Sequence, residues 1–353
     1  MQKRNVIVFL LLGLIFSFTA QSKVSSKTKS KKQPNVIIVI TDDQGYGDLG
    51  AHGNPLVKTP ALDKFHDESV RLTDFHVGPT CAPSRSGLMT GRYANRVGVW
   101  HTIGGVSILR KEEVTMAEVF KNNGYETAMF GKWHLGDAKQ FLPLQQGFDE
   151  YLGIPYSNDM WPVTYDGKPA DSSSNKSKVP QLPLIKNNDK WIEIKTLEDQ
   201  STLTERYTTA AEAFIKKNKN KPFFLYLPHS MPHVPINASP AFRGKSKQGL
   251  YGDVIQEIDA SVGRILKTIK ENGLDNNTIV IFTSDNGPWI NYGNHAGSTG
   301  GLREGKGTSF EGGQRVPGII RWKGTIQPNV VSNQLASTID LFPTIAAITK
   351  TSL

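Results

Sequence analysis

A run of β-branched apolar residues extends from Val36 to Ile40 without a polar interruption. This run predicts a strand buried on both faces, because a half-exposed strand would alternate apolar and polar positions. It begins at Asn35 and stops abruptly at the polar residues 41–43. Shorter apolar runs predict further strands over residues 127–130, 222–227, 278–283 and 317–322.

Between these strands, apolar positions recur at intervals of three and four residues. Over residues 251–272 they fall at Val254, Ile258, Val262, Ile265 and Ile269. This spacing predicts a helix with one buried face. Further helices are predicted over residues 115–123, over residues 203–217 and from about residue 339 onward. Alternating strands and helices predict an α/β fold with a large, mostly parallel sheet that carries helices on both faces. The polar residues 161–191 are predicted to form a long surface insertion.

The first 34 residues do not follow this pattern. Lys3 and Arg4 precede an apolar run over residues 6–18, and small and polar residues follow. This is the layout of a secretory signal peptide, and the run is too short for a membrane span. We expect residues 1–22 to be the signal peptide, residues 23–34 a disordered Lys- and Ser-rich tether, and residues 35–353 the folded domain. The protein is then exported, periplasmic or secreted, with no stable membrane insertion.

The charge and the single cysteine narrow the function further. The formal net charge is +9, but seven Lys and Arg residues lie in residues 1–34, so the remainder carries only +2. We therefore expect a solvated tail and no nucleic-acid partner. Cys81 is the only cysteine of the sequence, so the chain has no internal disulfide to form. A buried inert thiol, an intermolecular bridge and a residue kept for chemistry remain open for it.

Polar clusters follow several predicted strands, and such strand ends meet at one edge of a parallel sheet, where ligands bind. Asp42 and Asp43 end one strand, while Asp285 and Asn286 end another. Their oxygens would suit a hard cation, Ca²⁺ or Mg²⁺, because converging carboxylates repel each other without one. The alternative is that these residues are only turn residues and helix caps.

Four further segments offer groups that could hold an anion. Cys81 precedes Pro83 and Ser84, which indicate a helix start, and Arg85 lies one turn further on. Lys132 and His134 are two residues apart, so they would point the same way in an extended segment. His229 and His233 lie in a proline-stiffened segment over residues 228–235, and Lys306 lies in a Gly-rich loop. Each of these segments is ambiguous alone, since histidines and Gly-rich loops are often structural.

Together, these segments resemble the formylglycine-dependent sulfatases. Cys81-x-Pro83-Ser84-Arg85 followed by Leu88-x-Thr90-Gly91 is similar to the signature of that family. Residues 42–48, 131–134, 284–287 and 305–308 resemble its other motifs, in the same order. Residues 153–157 resemble the arylsulfatase A-like branch in particular. The resemblance extends from about residue 35 to the end and implies an alkaline phosphatase-like fold.

The resemblance implies a modified Cys81 and a metal. A formylglycine-generating or anaerobic sulfatase-maturating enzyme would oxidise Cys81 to formylglycine, which hydrates to a diol. The metal, usually Ca²⁺ with Mg²⁺ possible, would be bound by Asp42, Asp43, Asp285 and Asn286. The diol would be held by Arg85 and Lys132. The sulfate would be contacted by Lys132, Ser157, His233 and Lys306.

The implied reaction is the hydrolysis of a sulfuric ester, from a sulfated carbohydrate or an aryl sulfate. One diol hydroxyl attacks sulfur while His233, with Lys306, protonates the leaving oxygen. A covalent sulfo-enzyme results. His134 then takes the proton of the second hydroxyl, and sulfate leaves. His229 has no clear counterpart in the family.

One departure concerns the end of the chain, which comes soon after residues 340–344. The family carries a small C-terminal domain beyond this point, so we expect that domain to be absent and the catalytic domain to be incomplete. Two alternatives to a sulfatase stay open. One is a phosphatase or phosphonate hydrolase of the same superfamily, and the other is a non-catalytic binder of sulfated glycans.

Overall fold

A computed structural model of the protein describes residues 33–103 and 107–352. The predicted signal peptide and nearly all of the predicted tether lie outside the described residues. No helix within the described ranges is both long and apolar enough to cross a membrane.

Most of the described strands form one sheet. The strands are β1 (Asn35–Thr41), β2 (Val70–Leu72), β3 (Phe75–His76), β4 (Glu126–Lys132), β5 (Glu150–Ile154), β6 (Leu182–Lys186), β7 (Asp189–Ile194), β8 (Phe223–Pro228), β9 (Thr278–Ser284), β10 (Gly318–Arg321), β11 (Val330–Ser332) and β12 (Ala336–Ser337). The order in the sheet is β11-β2-β10-β9-β1-β8-β4-β5-β6-β7, while β3 and β12 pair separately. The centre, β9-β1-β8-β4-β5, is parallel, and antiparallel pairings occur on both sides of it. The predicted mixed, mostly parallel sheet is confirmed.

Helices cover both faces of the sheet, as predicted. They are α1 (Pro60–Asp67), α2 (Cys81–Thr90), α3 (Ala94–Val97), α4 (Met116–Asn122), α5 (Leu197–Ser201), α6 (Leu203–Lys217), α7 (Leu250–Glu271), α8 (Glu311–Gln314) and α9 (Thr338–Thr349). Strand β1 contributes to a hydrophobic core on each face of the sheet, because its alternate side chains point to opposite faces. Ile37 and Val39 pack on the side of α6 and α7, whereas Ile38 packs on the side of α2, α4 and α9. Each such buried aliphatic side chain stabilises the fold by roughly 1.5–3 kcal/mol.

The prediction for residues 161–191 was wrong, since they are not a surface insertion throughout. Trp161 is completely buried in the core. Strands β6 and β7 fall largely within this segment and extend the sheet antiparallel to β5. Pro183 interrupts the apolar residues of β6, and a proline inside a short apolar run argues against a strand. The proline is tolerated because β5 pairs with β6 only at Ile185 and Lys186, so the missing N–H of Pro183 costs no hydrogen bond to β5.

Gly131 allows β4 to approach β8 closely at the point that leads into Lys132. Its φ is +141°, and a Cβ placed there would lie 1.8 Å from the carbonyl oxygen of Pro228. We expect Gly131→Ala to destabilise the protein by roughly 1–3 kcal/mol or more, because the backbone of β8 cannot yield as a side chain would. Urea unfolding would measure this loss.

Gly124→Ala is the matched control for that substitution. Gly124 also has a positive φ, +82°, but a Cβ added there would have no heavy atom of the described residues within 4 Å. Both variants share the left-handed backbone cost, so the difference between them isolates the steric clash. Equal destabilisation of the two variants would contradict the prediction.

Candidate active site

The ends of four neighbouring strands and the first turn of α2 meet at one edge of the sheet. Asp42 and Asp43 follow β1, Asp285 and Asn286 follow β9, Lys132 ends β4, and His233 lies in the loop after β8. The parallel register explains this, since Thr41 lies beside Ser284 and Ile40 beside Pro228. The structure therefore brings the sequence-predicted groups together at the edge where ligands bind in such sheets.

Cys81 begins α2, with Thr80 in extended backbone before it. This start is two residues earlier than Pro83 suggested. The Cys81 Sγ atom lies 3.4 Å from Asp42 Oδ1 and 3.4 Å from Lys306 Nζ. Burial, and then Asp42, raise the pKa of the Cys81 thiol well above its usual range. An unmodified thiol here is therefore a poor nucleophile, because the thiolate is the reactive form.

Three buried cations surround Cys81 and the acidic residues. Lys132 forms an ion pair with Asp42, and its Nζ atom donates to Ser157 Oγ at 3.0 Å. Lys306 Nζ lies 2.7 Å from Asp43 Oδ1. Burial alone would lower the pKa of Lys306, but the combined effects of Asp43, Cys81 and Asp42 outweigh it and raise the pKa. Both lysines are thus held in the charged form that an anion requires.

Arg85 is fully buried and joins two parts of the site. Its Nε and Nη2 atoms donate to Asp285 Oδ2 at 2.9 and 2.7 Å, and its Nη1 atom donates to the carbonyl oxygen of Lys132 at 2.7 Å. Arg85 Nη2 also lies 3.5 Å from Asp42 Oδ2. Arg85 therefore fixes β4 against the residue after β9, in addition to placing positive charge behind Cys81.

Three carboxylates and one amide converge at this edge of the sheet. Asn286 Nδ2 donates to Asp43 Oδ1 at 2.7 Å, and Asp285 Oδ1 accepts from the Asp43 backbone amide at 3.2 Å. The ligand atoms of Asp42, Asp43, Cys81 and His233 all lie within 4.8 Å of one another. Asp285 lies outside this tightest group because Arg85 holds it.

These residues fit a hard divalent cation. Asn286 Oδ1 is buried and accepts no hydrogen bond from any residue of the described ranges. Burial, and then the charge of Asp42, raise the pKa of Asp285. An orphaned amide oxygen beside crowded carboxylates is the donor set that Ca²⁺ and Mg²⁺ prefer. A bound cation would satisfy Asn286 and relieve the repulsion between the carboxylates.

His233 lies between the acidic cluster and Ser157. Its Nδ1 atom is 2.6 Å from the carbonyl oxygen of Val234, so Nδ1 carries a proton and Nε2 faces the site. His233 Nε2 is 3.4 Å from Ser157 Oγ and 3.6 Å from Asp43 Oδ2. Burial, and then Lys306, lower the pKa of His233, which favours the neutral ring.

His134 is in the opposite tautomer to His233. Its Nε2 atom donates to the carbonyl oxygen of Thr102 at 3.1 Å, which leaves Nδ1 as an acceptor. This buried Nδ1 has no hydrogen-bond partner among the described residues. Burial, and then Lys132, lower the pKa of His134 well below its usual range. His134 and Asp43 both have a positive φ, 61° and 67°, which is a strained backbone that often marks functional residues.

His229 does not share this arrangement. Its Nε2 atom lies 3.2 Å from Ser261 Oγ, and the Ser261 hydroxyl also bonds Thr208, which places His229 between β8 and the helices α6 and α7. Burial lowers its pKa to about 4. A neutral histidine in this position packs the core and orients the loop that carries His233.

The pocket above these residues has a volume of about 170 Å³. Wider grooves exist elsewhere on the described surface, but the buried cations and carboxylates converge on this one. Its lining residues are Thr80, Cys81, Thr102, His134, Ser157, Asp159, Met160, His233, Trp289, Lys306 and Gly307. Sequence reasoning missed Thr102, Asp159 and Trp289. Asp159 lies two residues after Ser157, and Trp289 lies three residues after Asn286. Their closeness in sequence to these motif residues was the signal that could have identified them.

Known proteins are similar to this chain over most of its length. The family model described as Sulfatase matches residues 34–351. Human arylsulfatase A is 40% identical over 90% of the chain, and mouse N-acetylgalactosamine-6-sulfatase is 39% identical over 88% of it. The crystal structure of PsFucS1 sulfatase from Pseudoalteromonas sp. superimposes with a TM-score of 0.82 at 31% identity, over 90% of this chain and 68% of that one.

The two relatives are longer proteins. This chain spans 64% of the length of human arylsulfatase A and 61% of the mouse enzyme. The family match nevertheless covers nearly all of the described residues, including the edge of the sheet where the polar residues converge. The chain belongs to the sulfatase family, in its arylsulfatase A-like branch.

Proposed function

We propose that this chain is a sulfuric ester hydrolase that acts through a formylglycine made from Cys81. The observation that carries the proposal is the setting of Cys81, which begins a helix between Asp42 and Lys306. An unmodified thiol is unreactive in that setting, whereas buried lysines surround the space that an anion would enter. The modified side chain would supply one hydroxyl that takes the sulfo group and a second that releases it.

A divalent cation, Ca²⁺ by resemblance to the family, would be held by Asp42, Asp43, Asp285 and Asn286. When bound, it would offset negative charge on the sulfate group. Around the proposed cation, three carboxylates are paired with three cationic side chains, so the charges of these six residues cancel. A divalent cation would give the site an excess of positive charge for an anionic ester.

His233 is proposed to protonate the leaving oxygen when the ester S–O bond breaks. Its Nδ1 proton is committed to Val234, so Nε2 can carry a second proton toward the pocket. A bound anion would raise the pKa of His233 and so load that proton. Ser157 and Lys306 would hold the sulfate oxygens beside it, since both line the pocket.

His134 is proposed to act as the base that completes the cycle. Its Nδ1 atom is an unpartnered acceptor among the described residues, and the histidine lines the same pocket as Cys81. Its lowered pKa keeps the ring neutral and able to accept the proton of the second hydroxyl. Arg85 would act by positioning Asp285 and the Lys132 backbone.

The substrate would be a sulfated carbohydrate or an aryl sulfate. Support comes from the names of the relatives, which include an arylsulfatase and an N-acetylgalactosamine-6-sulfatase. The direct test compares paired sulfate and phosphate esters on protein produced with a maturating enzyme. Faster hydrolysis of sulfate esters is expected, and a preference for phosphate esters would contradict the proposal in favour of a phosphatase.

Export and maturation complete the proposal. The charged, then apolar, then small-residue layout of residues 1–22 supports a signal peptide and an exported protein. The Cys81-x-Pro83-Ser84-Arg85 segment supports recognition by a formylglycine-generating or anaerobic sulfatase-maturating enzyme.

The opposite tautomers of the two histidines predict different kinetic defects. His233→Ala should slow the hydrolysis of sugar sulfates, which have poor leaving groups, by roughly 10²–10⁴-fold, while that of 4-nitrophenyl sulfate is affected far less. His134→Ala should slow both substrates alike and leave a sulfo group on residue 81. Steady-state kinetics and intact peptide mass would measure these effects.

His229→Ala is the control for the loss of a buried imidazole near the site. It should change stability rather than the dependence on the leaving group. Equal sensitivity of His134→Ala and His233→Ala to the leaving group, with no retained sulfo group, would contradict the division of roles.

A further inference from the structure

The rim of the active-site pocket has chemistry that sulfate binding does not use. The pocket volume of about 170 Å³ is smaller than the roughly 300–1,000 Å³ of typical ligand pockets. The sulfate group therefore fills much of it, and the alcohol part of the ester must lie against the rim. Asp159, Met160 and Trp289 line the pocket and are partly exposed, which places them toward its rim.

Ser157 lies within hydrogen-bonding reach of Asp159, but one carboxylate oxygen of Asp159 has no donor among the described residues. Its Oδ1 atom is shielded from solvent, and no group among the described residues donates to it. The side chain is partly exposed and lines the pocket, so a small rotation would turn either oxygen inward. Burial would raise the pKa of Asp159, but His233 and Lys132 hold it below its ordinary value. An ionised carboxylate only accepts hydrogen bonds, so it cannot serve the sulfate oxygens.

Aromatic rings continue outward from the pocket beside Asp159. The Trp289 ring lies 5.5 Å from the ring of His233 and 4.8 Å from that of Tyr292. Tyr292 in turn lies 4.9 Å from Tyr165, which is 47% exposed. Asp159 lines the same pocket as Trp289, and burial, then the charge of Asp159, raise the pKa of the Tyr292 phenol. The acceptor and the aromatic surface therefore adjoin each other.

A carboxylate acceptor beside aromatic rings would bind a sugar sulfate and an aryl sulfate differently. A pyranose ring has apolar C–H faces that pack on aromatic rings, and hydroxyls at its edge that donate hydrogen bonds. An unsubstituted aryl sulfate would pack on the rings but has no donor for Asp159. Leaving a shielded carboxylate oxygen without a donor is unfavourable, which selects against that ligand.

We propose that Asp159 accepts a hydrogen bond from a hydroxyl of a sulfated sugar, whose ring packs along Trp289, Tyr292 and Tyr165. The inference rests on the proposed sulfatase function and deepens it, since it assigns the substrate class and the residues that select it. Asp159 then sets specificity by binding the alcohol part of the ester.

The test compares two kinds of ester on the full chain, produced with a maturating enzyme. The sugar probes are monosulfates of galactose, glucose and N-acetylgalactosamine, and the aryl probe is 4-nitrophenyl sulfate. Asp159→Ala should lower kcat/KM for the preferred sugar sulfate by roughly 10–100-fold, with Asp159→Asn intermediate. Tyr292→Ala should lower it by roughly 3–10-fold. Hydrolysis of 4-nitrophenyl sulfate should change by less than about threefold in Asp159→Ala and Asp159→Asn. Tyr292→Ala should lower the hydrolysis of both kinds of ester, because both pack on the rings.

Two matched controls replace similar groups away from the site. Trp191→Ala removes an aromatic ring that is 50% exposed on β7, and Asp171→Asn alters an exposed carboxylate. Both should keep the wild-type ratio of the two activities. Equal losses on sugar and aryl sulfates in Asp159→Ala would overturn the inference, because Asp159 would then only orient His233.

The wild-type protein separates this inference from the proposed function. If the protein hydrolyses 4-nitrophenyl sulfate but none of the sugar sulfates, the inference is overturned and the sulfatase proposal stands. Hydrolysis of neither kind of ester would contradict the sulfatase proposal, and the inference with it.

Discussion

Replacement of Cys81 by alanine is expected to lower turnover by roughly 10⁴–10⁶-fold, which is the loss that follows removal of an enzymatic nucleophile. The fold should survive, because the only hydrogen bonds of the Sγ atom with described residues are two long ones, to Asp42 and Lys306. Cys81→Ser should fail similarly, since a serine ester has no second hydroxyl to expel sulfate. Kinetics on 4-nitrophenyl sulfate, with thermal unfolding as the check on the fold, would measure both effects.

Peptide mass decides what residue 81 is in the active protein. Loss of the thiol sulfur and gain of an aldehyde oxygen are expected. Ser86→Ala is the control, because Ser86 lies on the same helix and its hydroxyl donates to the carbonyl oxygen of Pro83, its one hydrogen-bond partner among the described residues. It should keep near wild-type turnover. A fully active protein with an unmodified Cys81 thiol would contradict the proposed function.

Chelation of divalent cations is expected to abolish activity and to lower the melting temperature. The cation would bind the folded state and not the unfolded chain, so a concentration of 100 times its Kd stabilises by about 2.7 kcal/mol. The loss should be restored by Ca²⁺ and followed by calorimetry as well as by turnover. The stability readout reports binding even if catalysis fails for another reason.

Asn286→Leu separates the metal from the ion pairs of the site. It removes the orphaned Oδ1 acceptor while Asp285 keeps Arg85 and Asp43 keeps Lys306. Its melting temperature should no longer respond to chelator or to Ca²⁺, whereas Asp171→Asn should respond as the wild type does. A wild type that keeps its activity and melting temperature in chelator would contradict the metal assignment.

The sequence was sufficient for the central architecture because burial leaves a regular pattern. The apolar side chains from Val36 to Ile40 require burial on both faces of the sheet, and the structure places this strand at the centre, between β8 and β9. The spacing of three and four over residues 251–272 likewise predicted α7 to within a residue. Residues 182–194 were not predicted as strands, because Pro183 and the surrounding polar residues obscured the pattern of β6 and of the edge strand β7.

The sequence by itself also predicted which side chains belong to the site, because the Cys81 segment and the acidic residues at the strand ends are visible in it. Only the tertiary structure decided how each group is used, since hydrogen bonds across 32 to 243 residues of chain set the details. Thr102 fixes the tautomer of His134, and Asn286 is left with one oxygen that no described residue satisfies. Asp159 and Trp289 join the site only because two distant loops meet at one edge of the sheet. Periodicity records local burial, whereas protonation and pocket shape depend on neighbours that are remote in sequence.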